Sequence, residues 1–443
     1  MPKSGKKPSS VESSGPESLL AKEHSLAVNL PESSSFSMIV SFRDGVAYEG
    51  EEEWGMSHFL EHVHLLGCPR YPSLGEVSRV VETMGAQLSA YSTRDSVSYW
   101  IKAPAWHGGK AREVLRLILE NSDFSPEKVE SEKAVVLREM ARERSDFRLM
   151  SILSLEESLL FPSSLSRNVL GSRRSVSGFT PEGLRRHKEK YYRGGNMFLA
   201  AAGNLGKDRD AGFLRDFTGL FPRGGKPVKA SDFPEAGTPP AGVKRAMVLN
   251  YPGLRQVGLA LGWKIEASSR GEIESWRILN TFLGVGFGSL LYRRLREERA
   301  LTYLVSTRMR FFGRSGVYQI LLDVREEDIR ESLRIVHLAL EETASECFEK
   351  GELQRAHGLH RGNTVLRLED TMEWARWLNQ ALLRGEREPV MDFLQEESGS
   401  PRKKQISRLA RKYLAPEDCR LCLAGEVSGI LRNLPEGMEA EVI

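Results

Sequence analysis

Apolar and polar positions fall into two periods along this chain. Alternating or β-rich runs predict strands at Phe36–Phe42, Val97–Ile101, Met197–Gly203, Gln256–Lys264, Val317–Val324 and Cys419–Leu423. Between them a helical period runs through Lys110–Asn121, Glu127–Arg144, Ile273–Leu283 and Glu331–Phe348, and another helix begins near Trp54. The two types mix without strict alternation, which predicts an α+β fold rather than a doubly wound sheet.

Breaks in the pattern divide the chain. Residues 1–22 are rich in Ser, Pro, Lys and Glu and read as a disordered tail. The tail has no apolar core of a secretory signal, and Glu12 and Glu17 beside Lys3, Lys6 and Lys7, with no arginine, argue against a mitochondrial presequence. A cytoplasmic location is the resulting expectation. Residues 223–245 carry clustered prolines and glycines without periodicity and read as a linker between parts 23–222 and 246–443. Ser37–Glu53 and Val257–Glu274 both run strand, loop, helix, so the parts look like distant repeats, although chance likeness of such units explains the order equally well.

Composition narrows the classes. The chain has 443 residues, 40% hydrophobic and 28% charged, with a formal net charge of +3. That is ordinary globular usage and argues against a dedicated nucleic-acid binder. No apolar run reaches the ~18 residues of a membrane span. Four cysteines do not make a disulfide scaffold. Cys419 and Cys422 form a lone C-x-x-C inside an apolar run, better read as strand packing. Gly284–Gly288 fits neither a dinucleotide fingerprint nor a P-loop and reads as a flexible turn. Ile406, Leu409, Ala410 and Tyr413 stripe the basic segment 402–412, which reads as a solvated helix with one buried side. Trp374 and Trp377 read as core or interface.

Candidate chemistry concentrates in Gly55–Gly67, GMSHFLEHVHLLG. His58 and His62 are four apart, so on a helix both project from one face and can reach one ion. Glu61 lies on the same side, one step around, where it can reach a water at the metal. This is the H-x-x-E-H order. Two histidines so spaced also occur on solvated helix faces, but the apolar neighbours Phe59, Leu60, Val63, Leu65 and Leu66 point to a buried helix, where ionisable groups need a partner or a metal. His64, on the opposite face, reads as structural. A third ligand is needed for a catalytic zinc. In the helix opened by Ser125 and Pro126, the residues Val129, Glu132, Val136 and Glu139 share one face. Glu139 as ligand with Glu132 behind it, or simply an exposed polar face, fit the sequence equally.

These motifs resemble the pitrilysin–insulysin family of zinc peptidases, in its short-chain, processing-peptidase-like branch. The family pattern sets a glutamate about 77 positions after the second histidine and another seven before that; here 139 − 62 = 77 and 139 − 132 = 7. The resemblance runs through most of residues 24–430. It includes Gly85–Tyr99 as the strand that lays out substrate, Lys190–Gly203 as the strand entry closing the first half, and Gly284–Tyr303 as the glycine-rich turn and helix of the second. It implies two homologous halves, each a mixed or antiparallel sheet with helices packed on it, joined by a linker. It implies one Zn²⁺ per chain on His58, His62 and Glu139, with Glu61 as catalytic base and Glu132 as supporting carboxylate. Arg296 and Tyr303, seven apart, would contact peptide, and Ser89, Ala90, Tyr91 and Ser92 would bind its backbone. Ser89 replaces a common asparagine and Leu66 a common lysine. The implied activity is hydrolysis of peptides or unfolded polypeptides in a chamber that two chains enclose, as a homodimer or with an inactive homologue, without nucleic acid or membrane. A non-catalytic, chaperone-like subunit and a dedicated precursor-maturation peptidase are the alternatives.

Overall fold

Strands with both faces covered, such as β3 (Ser35–Phe42), are buried along nearly their whole length, serines included. In the computed structural model, β3 joins β1 (Ser18–Lys22), β2 (Ser25–Asn29), β4 (Gln87–Ser92), β5 (Val97–Pro104) and β6 (Met197–Gly203) in one sheet, ordered β1-β2-β6-β3-β5-β4. A second sheet holds β7 (Ala246–Asn250), β8 (Gln256–Glu266), β9 (Thr302–Phe312), β10 (Ser315–Arg325), β11 (Arg420–Gly425) and β12 (Ala440–Val442), ordered β12-β7-β11-β8-β10-β9. The structure describes residues 18–22, 24–120, 122–206, 217, 221, 228–229, 246–267, 269–349, 351–386 and 403–443.

Five strands of each sheet match in order and direction, while the sixth differs: β1 runs antiparallel to β2 and β12 parallel to β7. β2 and β6 pair in parallel, as do β7 and β11, while β3 and β8 each lie antiparallel to both neighbours. β4 and β9 are the equivalent edges. The α+β architecture of two like halves is therefore the fold of the chain. Ser18–Lys22, assigned to the tail on composition, instead form β1, antiparallel to β2. Composition does not register an edge strand held mainly by backbone pairing. Most of the linker at 223–245 falls outside the described residues.

Helices follow the same order in each half. The first has α1 (Met56–Leu65), α2 (Leu74–Thr83), α3 (Gly108–Glu120), α4 (Pro126–Ser145), α5 (Phe147–Leu160), α6 (Arg173–Gly178) and α7 (Pro181–Tyr191). The second has α8 (Arg270–Gly284), α9 (Leu290–Tyr292, continued by a π turn through Glu297), α10 (Ile329–Ala344), α11 (Glu352–Arg367), α12 (Thr371–Leu383), α13 (Lys403–Tyr413) and α14 (Val427–Asn433). Helices of each half cover one face of its own sheet: Phe59, Leu60, Val129 and Val136 share a core with Met38, Val40 and Tyr99, and Trp276, Leu279 and Val336 share one with Leu259, Leu261 and Ile320.

The opposite faces are exchanged. Leu155 and Leu159 of α5 pack on Met247, Ala260 and Cys422 of the second sheet. Leu378 and Ala381 of α12, with Trp374 and Trp377, pack on Leu26, Val28, Ile39 and Phe198 of the first. Two buried serines of β3 are satisfied by this visiting helix, Ser37 by the Thr371 hydroxyl at 2.8 Å and Ser41 by Asn379 Oδ1 at 2.8 Å. A charge node also joins the halves. Glu156 of α5 is fully buried and bonds Arg94, in the turn after β4; Arg308 and Arg310 of β9 lie 3.1 and 3.7 Å from it.

Candidate metal centre

The stub of sequence between Gly55 and Gly67 folds as α1 because its apolar residues recur at helical spacing and bury against the first sheet. His58, Glu61 and His62 occupy its first two turns on one side. His58 and Glu61 are buried and His62 is half-buried. α4 begins at Ser125, although that side chain makes no capping bond, and packs along α1. Its predicted stripe settles inward: Val129, Glu132 and Val136 are buried, and only Glu139 stays partly exposed, at 43% of its side chain.

The three proposed ligands converge. Nε2 of His58 and Nε2 of His62 are 3.3 Å apart, and Oε2 of Glu139 lies 3.8 and 3.6 Å from them. An ion with tetrahedral bonds of about 2.0–2.1 Å holds its donors about 3.3–3.4 Å apart. The triangle is within a few tenths of an ångström of that span, and two imidazoles with one carboxylate are a zinc-type donor set. The residues fit the metal. Burial, with the charge of His62, holds His58 down to about 3, so its ring is neutral and its lone pair available. For His62 burial acts downward but is outweighed by the hydrogen bond and charge of Glu132, helped by Glu61 and Glu139, so its net direction is up. His62 Nδ1 donates to Glu132 Oε1 at 2.7 Å, which fixes the ring with Nε2 toward the site. Among the described residues, His58 Nδ1 is buried without a hydrogen-bond partner.

Glu61 points beside the donor triangle rather than into it. Burial raises its carboxyl above the usual range; the Ser92 hydrogen bond and the charge of His62 partly oppose this, and Glu139 adds to it. Ser92 Oγ donates to Glu61 Oε2 at 2.5 Å. A carboxylate of raised basicity held next to a metal site is suited to taking and returning protons.

Ser89, Ala90, Tyr91 and Ser92 all lie on β4, at the open edge of the first sheet. Ala90 packs on the α1 side and Ser92 is engaged with Glu61. What this strand leaves open is its outer row of backbone groups. Arg296 and Tyr303 meet each other: the guanidinium sits 4.4 Å from the Tyr303 ring centre and 5.0 Å from that of Tyr292. Tyr303 is 77% exposed, and neither residue has a hydrogen bond or ion pair to His58, His62 or Glu139 among the described residues.

His64 is in the core, Nδ1 against Leu60 O at 2.7 Å and the Tyr99 hydroxyl at 3.0 Å. Sequence reasoning missed the groups behind α1. Glu49, Asp44, Ser57 and His187 form a second buried cluster at its N-terminus. Glu49 precedes Glu51, Glu52 and Glu53, and nothing in such a run marks one acid as internal.

Comparison with known proteins agrees with this geometry. Residues 26–166 match the insulinase (peptidase family M16) model and residues 178–357 the peptidase M16 inactive domain. An uncharacterized zinc protease of Mycobacterium bovis is 26% identical over 417 residues, covering 93% of each chain. The uncharacterized zinc protease YmxG of Bacillus subtilis is 25% identical over 401 residues, 89% of this chain and 94% of that one. The β subunit of the mitochondrial-processing peptidase of Caenorhabditis elegans is 32% identical over 164 residues, 37% of this chain and 36% of that one. Among solved structures, an M16 inactive domain from Pseudomonas fluorescens superposes with a TM-score of 0.79 at 18% identity, covering 93% of this chain and 98% of that one. The periplasmic protease PqqL of Escherichia coli gives 0.74 at 15% identity, with 95% of this chain spanning 49% of that one. With the two matched domains following one another over residues 26–357, the chain belongs to the insulinase-type M16 peptidase family.

Proposed function

We propose that this chain is a zinc-dependent metallopeptidase that hydrolyses peptides or unfolded polypeptides. The observation that carries the reading is the His58–His62–Glu139 triangle, at tetrahedral donor spacing, beside a carboxyl of raised basicity. Zinc held there supplies a Lewis acid that polarises the reacting carbonyl and water. His58 brings a neutral ring, and Glu132 accepts from Nδ1 of His62 and so turns its Nε2 toward the site. Glu61 takes a proton from the attacking water and passes it to the leaving amine, while Ser92 holds its carboxyl in place. The open edge of β4 ends at Ser92, so a peptide added there as a further strand runs past Glu61. Such docking reads backbone, so the expected substrates are extended chains of varied sequence.

We further propose that the working form is a dimer in which Arg296 and Tyr303 of one subunit face the metal centre of the other. Support comes from their exposure, from their mutual stacking, and from the way this chain covers half of PqqL. A homodimer is the simpler assembly; a pair with an inactive homologue is the other.

Digestion of a mixture of unfolded peptides, read by mass spectrometry with and without a chelator, tests the reading. Chelator-sensitive cleavage supports it, and cleavage of only one precursor would mark a dedicated maturation enzyme. Zinc binding without cleavage would favour a non-catalytic subunit. Mixing inactive Glu61→Gln and Arg296→Ala subunits tests the shared site, because restored activity requires one intact centre assembled from both.

A further inference from the structure

The helix that carries His58, Glu61 and His62 starts at a residue that cannot cap it. Gly55 has φ +89°, and a Cβ placed on it would sit 2.5 Å from the Cα of Gly171. Only glycine fits, so the Ser, Thr, Asp or Asn that usually satisfies the first N–H groups is excluded from this position. Those donors are met from six residues upstream. Glu49 Oε2 accepts from the Gly55 N–H at 2.6 Å and Oε1 from the Ser57 N–H at 2.7 Å. The Ser57 hydroxyl contacts Glu49 Oε1 as well, and it lies 2.7 Å from Asp44 Oδ1. His187 Nε2 lies 2.8 Å from the same Asp44 oxygen. All four side chains are buried.

This cluster has the composition of a cation site, two carboxylates and an imidazole, but its atoms are already committed. The carboxylate oxygens facing the centre accept from Gly55, Ser57 and His187, and His187 presents to Asp44 the nitrogen a metal would need. Hydrogen bonding gives a different role. The Ser57 hydroxyl bridges the Asp44 and Glu49 carboxyls. The group is a buried, hydrogen-bonded brace.

We propose that Glu49 is the positioning residue of the metal helix. Its carboxyl, braced through Ser57 by Asp44 and His187, fixes the first turn of α1 so that His58 faces His62 and Glu139 with Glu61 beside them. The effect on catalysis rests on the peptidase reading above; the effect on α1 and on zinc does not. His58 is the third residue of a ten-residue helix, so any shift in the first turn moves it directly. Displacements of about 1 Å at such a site typically cost about a hundredfold in rate.

The test compares wild type with Glu49→Ala, Glu49→Gln and Ser57→Ala. Hydrogen exchange of the Phe59–His62 amides should be about tenfold faster in Glu49→Ala, with β3 and β5 unchanged. Zinc affinity, read by competition with a chromophoric chelator, should fall about 10–100-fold. kcat should fall in proportion while KM stays within about twofold. Glu49→Gln keeps one acceptor oxygen and should recover part of each loss. Wild-type exchange and zinc affinity in Glu49→Ala would overturn the proposal. If that variant unfolds, Ser57→Ala, which removes only the bridging hydroxyl, decides by the same two readouts. A wild-type protein that cleaves nothing removes the peptidase reading but leaves exchange and zinc affinity to judge Glu49.

Discussion

The hydroxyl of Ser92, the last residue of an edge strand, is bonded to Oε2 of Glu61 on a helix thirty-one residues earlier. The proposed substrate strand and the proposed general base are therefore one mechanical unit. Replacing Ser92 by alanine frees the carboxyl to rotate without touching the metal donors. The expected result is a kcat about tenfold lower with KM and zinc content unchanged, measured on a quenched-fluorescence peptide.

Glu132 reaches the donor triangle through His62, 2.7 Å from its Nδ1. Glu132→Ala leaves Nδ1 without its acceptor and the ring without its anchor. Zinc affinity should drop about 10–100-fold, the usual cost of losing such an orienting partner, with the fold intact by circular dichroism.

Along an antiparallel strand, N–H groups point alternately to the neighbour and away from it. Of Ser89 and Ala90, one therefore donates to β5 and the other to the open edge. Proline at the outward position should raise KM about tenfold or more and leave stability nearly unchanged. Proline at the inward position should lower the melting temperature. Both variants behaving alike would argue against peptide addition at this edge.

The metal motif was readable because helical spacing states which residues share a face. The position of Glu139 was not, since periodicity left an exposed face as open as a ligand; the packing of α4 along α1 brings its carboxyl within 3.8 Å of both histidines. The buried side of α13 was legible in Ile406, Leu409 and Ala410. β9 was hidden because an edge strand, TYLVSTRMRFF, mixes exposed and buried positions without clean alternation. β7 is five residues, too short for a period. The placement of α5 and α12 on each other's half was invisible for a general reason: an apolar stripe says that a helix is covered, not by what.

Burial raises Glu49 to about 7 from 4.5, with His187 acting downward and Asp44 upward. Between those values the folded protein keeps a proton that the unfolded chain has released, so the stabilisation is full below about pH 4.5 and is lost as pH rises through 7. The neighbouring His187, held up by Asp44 against its burial, with Glu49 and Glu53 adding to this, slopes the same way. Glu49→Gln removes one titration. Its urea midpoint should vary less than wild type between pH 5 and 8, by up to about 3 kcal/mol of unfolding free energy.

Glu156 is the shared counter-ion of Arg94, Arg308 and Arg310. Glu156→Ala strands Arg94 in the interior and should destabilise the protein by about 3–5 kcal/mol in chemical denaturation. Arg310→Ala removes a half-exposed partner and should cost less than about 1 kcal/mol.

The roof that α12 places over the first sheet has an implication for biosynthesis. When residue 222 leaves the ribosome, Leu26, Val28, Ile39 and Phe198 have no cover, and they wait until Leu383 emerges, 383 − 222 = 161 residues later. At about 5–20 residues per second, that interval is about 8–32 s of exposed apolar surface on a tethered nascent chain. Holdase chaperones should find this protein on the ribosome, and a gene cut at the linker should yield two fragments that must be co-expressed to stay in solution.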